Sequence, residues 1–160
     1  AASDVYKRQG YTTLEVDAVL ALNPGKLDEL PKRLAAVRAF MALPEAEALT
    51  AANKRIGNIL KKIEGEVPTV VNEALLAEDA EKQLFAAIND VEPKALQHFA
   101  AGEYEQMLAT LAVLRGPVDS FFDNVMVNAE DPALRATRQA LLKRLYDVMN
   151  KVAEIARLAK

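Results

Sequence analysis

The chain has 160 residues, half of them apolar, which is ample for one buried core and makes a single domain the starting expectation. It has no cysteine and one histidine, His98, so within it a disulfide framework, a thiolate zinc site, a cysteine nucleophile and a multi-histidine metal site are excluded. The net charge of −3 does not announce nucleic-acid binding, and no apolar run approaches the ~20 residues of a membrane span, so a cytoplasmic protein is the expectation.

The first residue is Ala rather than Met, so the sequence reads as a piece of a longer protein. Residues 1–9 are expected to be an artefact or a disordered start, and residues 10–160 one helical domain. Thr12 or Thr13 can cap a short helix through Leu22, and Asn23-Pro24-Gly25 is a stop and turn. Leu27 to Leu43 reads as a helix with Pro31 near its start, where proline is tolerated. Pro44 opens the next helix, whose stripe is Leu49, Ala52, Ile56, Ile59, Leu60 and Ile63, with Gly65 placed to end it. Val67 to Asn72 is a loop. Asn72 or Asp79 then starts an acidic helix in which Pro93 is expected to cause a kink or a split, and Ala101-Gly102 is a stop. A short helix over Glu103 to Leu114, a corner at Gly116-Pro117, and another short helix lined by Val118, Phe121, Phe122, Val125 and Met126 follow.

The last stretch is the longest. Asp131 is a good N-cap and Pro132 suits the first helical position, where a missing N–H costs nothing. No Gly or Pro interrupts the run from there to Lys160, and Leu134, Leu141, Leu145, Val148, Met149, Val152 and Ile155 recur at helical spacing. The expectation is one helix to the end of the chain, with a core-facing stripe and a face carrying Arg135, Arg138, Lys143, Arg144, Lys151, Arg157 and Lys160. Nowhere is there sustained period-2 alternation, and the fold class is an all-α bundle of six to seven helices.

Charge is segregated along the chain. Asn53 to Lys62 carries Lys54, Arg55, Lys61 and Lys62 with no acid, Glu64 to Glu105 is strongly acidic, and Pro132 to Lys160 is basic again. Two arrangements follow: a basic surface hidden by the total, or acidic and basic helices facing each other inside the domain. Lys54, Asn58 and Lys62 share a helix face, where cations can hold phosphates and an amide can read a base edge. The glycines are isolated, which leaves no phosphate loop. His98 is read as an ordinary side chain, Asp119 and Asp123 as salt-bridge partners rather than metal ligands, and Phe121 and Phe122 as core, with one at most available for base stacking.

Three passages carry a family resemblance. Ala51-Ala52-Asn53-Lys54-Arg55-Ile56-Gly57-Asn58-Ile59-Leu60 resembles the "AANKR-I-x-N-IL" helix of the bacterial glycyl-tRNA synthetase β subunits, in their C-terminal region. Leu114 to Val127 resembles the "LRxPVDxFFDxVMV" segment of the same region, and Asp131 to Leu158 its closing helix, with Leu134-Arg135 and Arg138 in step. The chain departs from the pattern at Asn128, at Thr137, and at Pro132, which interrupts the Asp-Ala-Leu-Arg motif that names DALR-type anticodon-binding domains.

The resemblance implies an all-helical domain that binds the anticodon arm of glycine-specific tRNA while another part of a glycine–tRNA ligase aminoacylates it. It implies partners in an α subunit and a second β subunit, no catalytic site and no cofactor in this domain, and ATP and Mg in the parent ligase. Neither membrane nor DNA is an expected partner. Lys54, Arg55, Asn58, Arg115, Arg135 and Arg138 occupy matching positions, and Lys61 and Lys62 join them as RNA-binding candidates. The alternative is a helical interaction module whose basic face docks a partner subunit rather than RNA.

Overall fold

Local signals set where some of the helices begin. In the computed structural model, which describes residues 2–22 and 29–159, Thr12 and Glu15 form a reciprocal capping box: the Glu15 amide donates to Thr12 Oγ1 at 3.1 Å and the Thr12 amide to Glu15 Oε1 at 2.8 Å. Asp131 Oδ1 accepts from the amides of Ala133 at 2.9 Å and Leu134 at 3.4 Å, with Pro132 in the first turn. Eight α-helices result among the described residues: α1 (Ala2–Arg8), α2 (Thr13–Leu20), α3 (Leu30–Met41), α4 (Ala46–Lys61), α5 (Asp79–Ala100), α6 (Tyr104–Ala112), α7 (Arg115–Asn124) and α8 (Pro132–Met149). Two 3-10 turns, Glu73–Leu75 and Ile155–Leu158, complete them, and no described residue lies in a strand.

The all-α expectation holds, with several differences in detail. The stretch before Gly10, set aside on sequence grounds, is helical as α1, and Tyr6 packs against the core. The Asn23-Pro24-Gly25 turn and the start of a helix at Leu27 lie outside the described residues. Both suggested starts of the acidic helix are used: Asn72 caps the 3-10 turn through the Ala74 amide, and α5 begins at Asp79. Pro93 does not split α5, which runs on through it. Proline withdraws one backbone donor, and Val91 and Ala95 on either side are buried. Gly116 and Pro117 are not a corner but sit in the first turn of α7, where amides have no intrahelical acceptor to lose. The corner falls one step earlier, at Val113 and Leu114.

α5 packs against α6, α7 and α8. α8 lies between α4 and α5, while α6 joins α3 to α5 and α7 bridges α4 and α5. Leu141, Leu142, Leu145 and Val148 are buried in the common core with Ile56 of α4, Leu84 and Ile88 of α5, and Phe121 of α7. Leu145 has no solvent exposure. Truncating it to alanine is expected to lower stability by ~2–5 kcal/mol, as transfer and cavity terms add. The check is the urea midpoint at unchanged denaturant slope, and a loss below ~1 kcal/mol would remove Leu145 from the core.

The predicted helix to Lys160 does not form. α8 ends at Met149, and Asn150 turns the chain. Its side-chain amide donates to Tyr146 O at 2.7 Å and Asn53 Oδ1 at 2.9 Å, while its Oδ1 accepts from the Ile155 amide at 2.8 Å. The carbonyls of Lys151 and Val152 accept from the Arg33 guanidinium of α3 at 2.8 and 2.9 Å, and the Glu154 amide donates to Ala18 O at 2.8 Å. The chain therefore folds back, and Val152, Ala153, Ile155 and Leu158 bury themselves against α2 and α4. Their apolar spacing suits a helix, but these partners stand in for the helical bonds the segment would have made.

Candidate nucleic-acid interface

α4 and α8 run antiparallel. Asn53 meets Met149 and Asn150, Gly57 meets Tyr146, and Lys62 shares a groove with Arg135 and Gln139. The inward face of α4 is Leu49, Ala52, Asn53 and Ile56, so the cations between them point out. Asn53 is wholly buried and structural: its amide donates to Leu49 O at 3.0 Å and contacts Met149 Sδ at 3.3 Å.

The candidates do not form one patch. Lys54, Asn58 and Lys61, spaced 4 and 3 residues apart, border a groove of about 240 Å³ with Gly57, Tyr146, Glu154, Ala156 and Arg157. Arg55 faces the other way, its guanidinium 4.3 Å from the ring centroid of Phe122, in a groove that Asp119 and Asp123 also line. Arg115 lies on that same flank, where its Nε donates to Asp119 at 3.4 Å and its NH1 to Pro44 O at 3.4 Å. Lys62 and Arg135 border a third groove with Glu64 and Glu66, and Arg135 also donates to Ala129 O at 3.2 Å. Lys54, Lys61 and Lys62 are exposed and have no carboxylate within ion-pair distance among the described residues.

Arg138 must be withdrawn from the interface. It is buried, donating to Glu81 Oε1 at 2.9 Å and to Met126 O at 2.6 Å. One helical turn and a half further on, Arg144 forks onto Glu92 at 3.0 and 3.3 Å. Lys143 pairs with Asp147, and Arg157 with Glu154. For α8, then, the basic and acidic helices face each other, because α5 lies along the flank that carries Arg138 and Arg144. For α4 the cations stay at the surface. Thr137, at a position departing from the family pattern, is buried and accepts from the Asn72 amide at 3.2 Å, tying the loop before α5 to α8.

Phe121 is core and Phe122 half-buried, meeting edge to face at 5.6 Å, and Arg55 lies over the Phe122 ring. His98 contacts Glu103 at 3.0 Å at the surface. No three of the described His, Asp and Glu residues lie close enough to hold a metal ion, and no helix among the described residues is long and apolar enough to cross a membrane.

Tyr146 borders the same groove as Lys54, Asn58 and Lys61, and sequence reasoning missed it, since it reads as one more position on a mixed helix. Burial, then the Glu154 and Asp147 carboxylates, hold its phenol above the ordinary value of 10.0, so it keeps its proton at neutral pH. The available signal was Gly57. A glycine in mid-helix costs ~1 kcal/mol relative to alanine, and here a Cβ would stand 3.3 Å from the Tyr146 hydroxyl.

The described residues form an all-α bundle in which α4 and the residue after it turn Lys54, Lys61 and Lys62 to solvent. Residues 49–156 match the DALR anticodon binding domain family, and the chain belongs to it. The match runs from Leu49 of α4 to the C-terminal 3-10 turn and so contains most of the residues that line all three grooves. The chain is 66% identical over 151 residues to the glycine–tRNA ligase β subunit of Leptothrix cholodnii, covering 94% of this chain and 21% of that protein. It is 60% identical to the β subunit of Delftia acidovorans over 96% of this chain and 22% of the relative, and 57% identical to that of Thiobacillus denitrificans over 98% and 22%. The chain thus spans about a fifth of the length of the curated relatives it matches.

Proposed function

We propose that this chain is the anticodon-arm-binding domain of a glycine–tRNA ligase β subunit, holding glycine-specific tRNA while the rest of the assembly aminoacylates it. Catalysis, with its ATP and Mg, and the contacts to an α subunit and a second β subunit belong to that larger assembly, in the cytoplasm. The observation that carries the reading is the exposed, unpaired set Lys54, Lys61 and Lys62 on the first helix of the family match. A splayed loop is what such a surface suits: ammonium groups hold phosphates and neighbouring polar side chains meet base edges.

Filter binding with the whole chain tests it. The chain should retain glycine tRNA over a tRNA with a different anticodon, and log affinity should fall linearly with log salt. Changing Lys54 and Arg55 together to alanine should weaken binding and remove ~0.7 from the slope for each phosphate no longer neutralised, with helix content intact. Retention of neither would argue for the alternative, a module that docks a protein partner, and equal retention of both would remove the anticodon from the reading.

A further inference from the structure

The three grooves that the candidate cations border differ in charge. The Arg55 groove holds one cation against Asp119 and Asp123, and the Lys62 groove sets two cations against Glu64 and Glu66. The groove between α4 and the C-terminal turn holds Lys54, Lys61 and Arg157 against Glu154 alone, and Glu154 is already paired with Arg157 at 3.0 Å. Only this one of the three carries an excess of positive charge at its walls, and only here does a phenol hydroxyl meet a polar amide. Neither the Tyr146 hydroxyl nor the Asn58 side chain has a hydrogen-bond partner among the described residues, although both border the same space. A hydroxyl donates and accepts, and a carboxamide does both at fixed spacing, which matches the edge of a base. The volume of about 240 Å³ is room for one base.

We infer that this groove takes a single unpaired nucleotide of the RNA, with Asn58 and the Tyr146 hydroxyl on the base and Lys54 and Lys61 on its flanking phosphates. The inference rests on the RNA-binding reading and assigns its specificity contact. Gly57 is part of the device: any side chain there pushes on the Tyr146 hydroxyl and narrows the floor. The C-terminal turn is part of it too, since Glu154, Ala156 and Arg157 form the opposite wall.

The test is titration of the whole chain with an unmodified glycine-tRNA anticodon stem-loop over a range of salt. Tyr146→Phe and Asn58→Ala should each weaken binding about fivefold, the scale of one hydrogen bond, without changing the salt slope. Gly57→Ala should weaken it at least as much while leaving helix content unchanged, because alanine favours the helix. Lys54→Ala with Lys61→Ala should lower the slope by ~1.4, two phosphate contacts at ~0.7 each, while Lys94→Ala on α5 should leave it alone. If the unaltered chain binds the stem-loop but Tyr146→Phe, Asn58→Ala and Gly57→Ala bind equally well, the groove is not the nucleotide site, and the broader reading stands. If the unaltered chain does not bind the stem-loop at all, both fall.

Discussion

Replacing Arg138 with alanine is expected to destabilise the domain by about 3–5 kcal/mol, the cost of leaving a buried charge without its partner. Glu81 has no solvent exposure, and the Arg138 side chain has 7%. Glu81 Oε1 accepts from both the Glu78 amide at 3.1 Å and Arg138 at 2.9 Å, so one oxygen caps α5 and joins α5 to α8. The pair is not saturated, because Glu81 Oε2 and Arg138 Nε have no partner. Its net contribution is therefore modest, and its removal as a unit is mild even though breaking it is severe. Glu81→Leu combined with Arg138→Met should recover most of the loss. Urea unfolding of the two single variants and the double gives the cycle. Near-equal stability of Arg138→Ala and the unaltered chain would mean that the carboxylate finds water, and that α5 and α8 are less tightly apposed than a 2.9 Å ion pair requires.

Arg33→Ala is expected to act at the other end of α8, at about 3–6 kcal/mol for two lost hydrogen bonds from a charged donor at about 1.5–3 each. NH1 of Arg33 alone serves the carbonyls of Lys151 and Val152, and the guanidinium lies 4.8 Å from the Tyr104 ring centroid and 5.9 Å from that of Phe99. Without it the segment after Met149 has two carbonyls facing α3 with no donor. Hydrogen exchange should rise first at the amides of Glu154 and Ile155, whose acceptors are Ala18 O and Asn150 Oδ1. Because the same turn walls the Tyr146 groove, RNA affinity should fall in this variant while Lys54 and Lys61 remain untouched. Global unfolding with no early exchange there would mean that the turn and the bundle are one cooperative unit.

These arginines, with Arg144, show why basic residues are hard to assign from a sequence. Arg138 and Arg144 look like surface cations on the polar side of α8, and Arg33 looks like one on α3. All three are used for packing. Lys54, Lys61 and Lys62 look no different in composition, and they remain at the surface. The distinction lies in what stands opposite: the carboxylates that accept from Arg138 and Arg144 are 57 and 52 residues away in the chain, and the carbonyls that accept from Arg33 are 118 and 119 away. A residue-by-residue reading has no access to such pairs. Of the two charge arrangements, the facing-helix one describes α8 with α5, and the surface one describes the outward side of α4.

Several helix starts, and the absence of strands among the described residues, were legible in the chain alone, because Thr12, Asn72 and Asp131 act on amides two or three residues away and apolar spacing acts within a turn or two. The family patterns over 51–60 and 114–127 were likewise readable there. It took the packed fold to stop α8 at Met149, to commit Arg138 to Glu81, and to bring Tyr146 and Asn58 to one cationic groove. In each case the deciding residue lies on a different element, far away in the chain, and only packing brings it within reach.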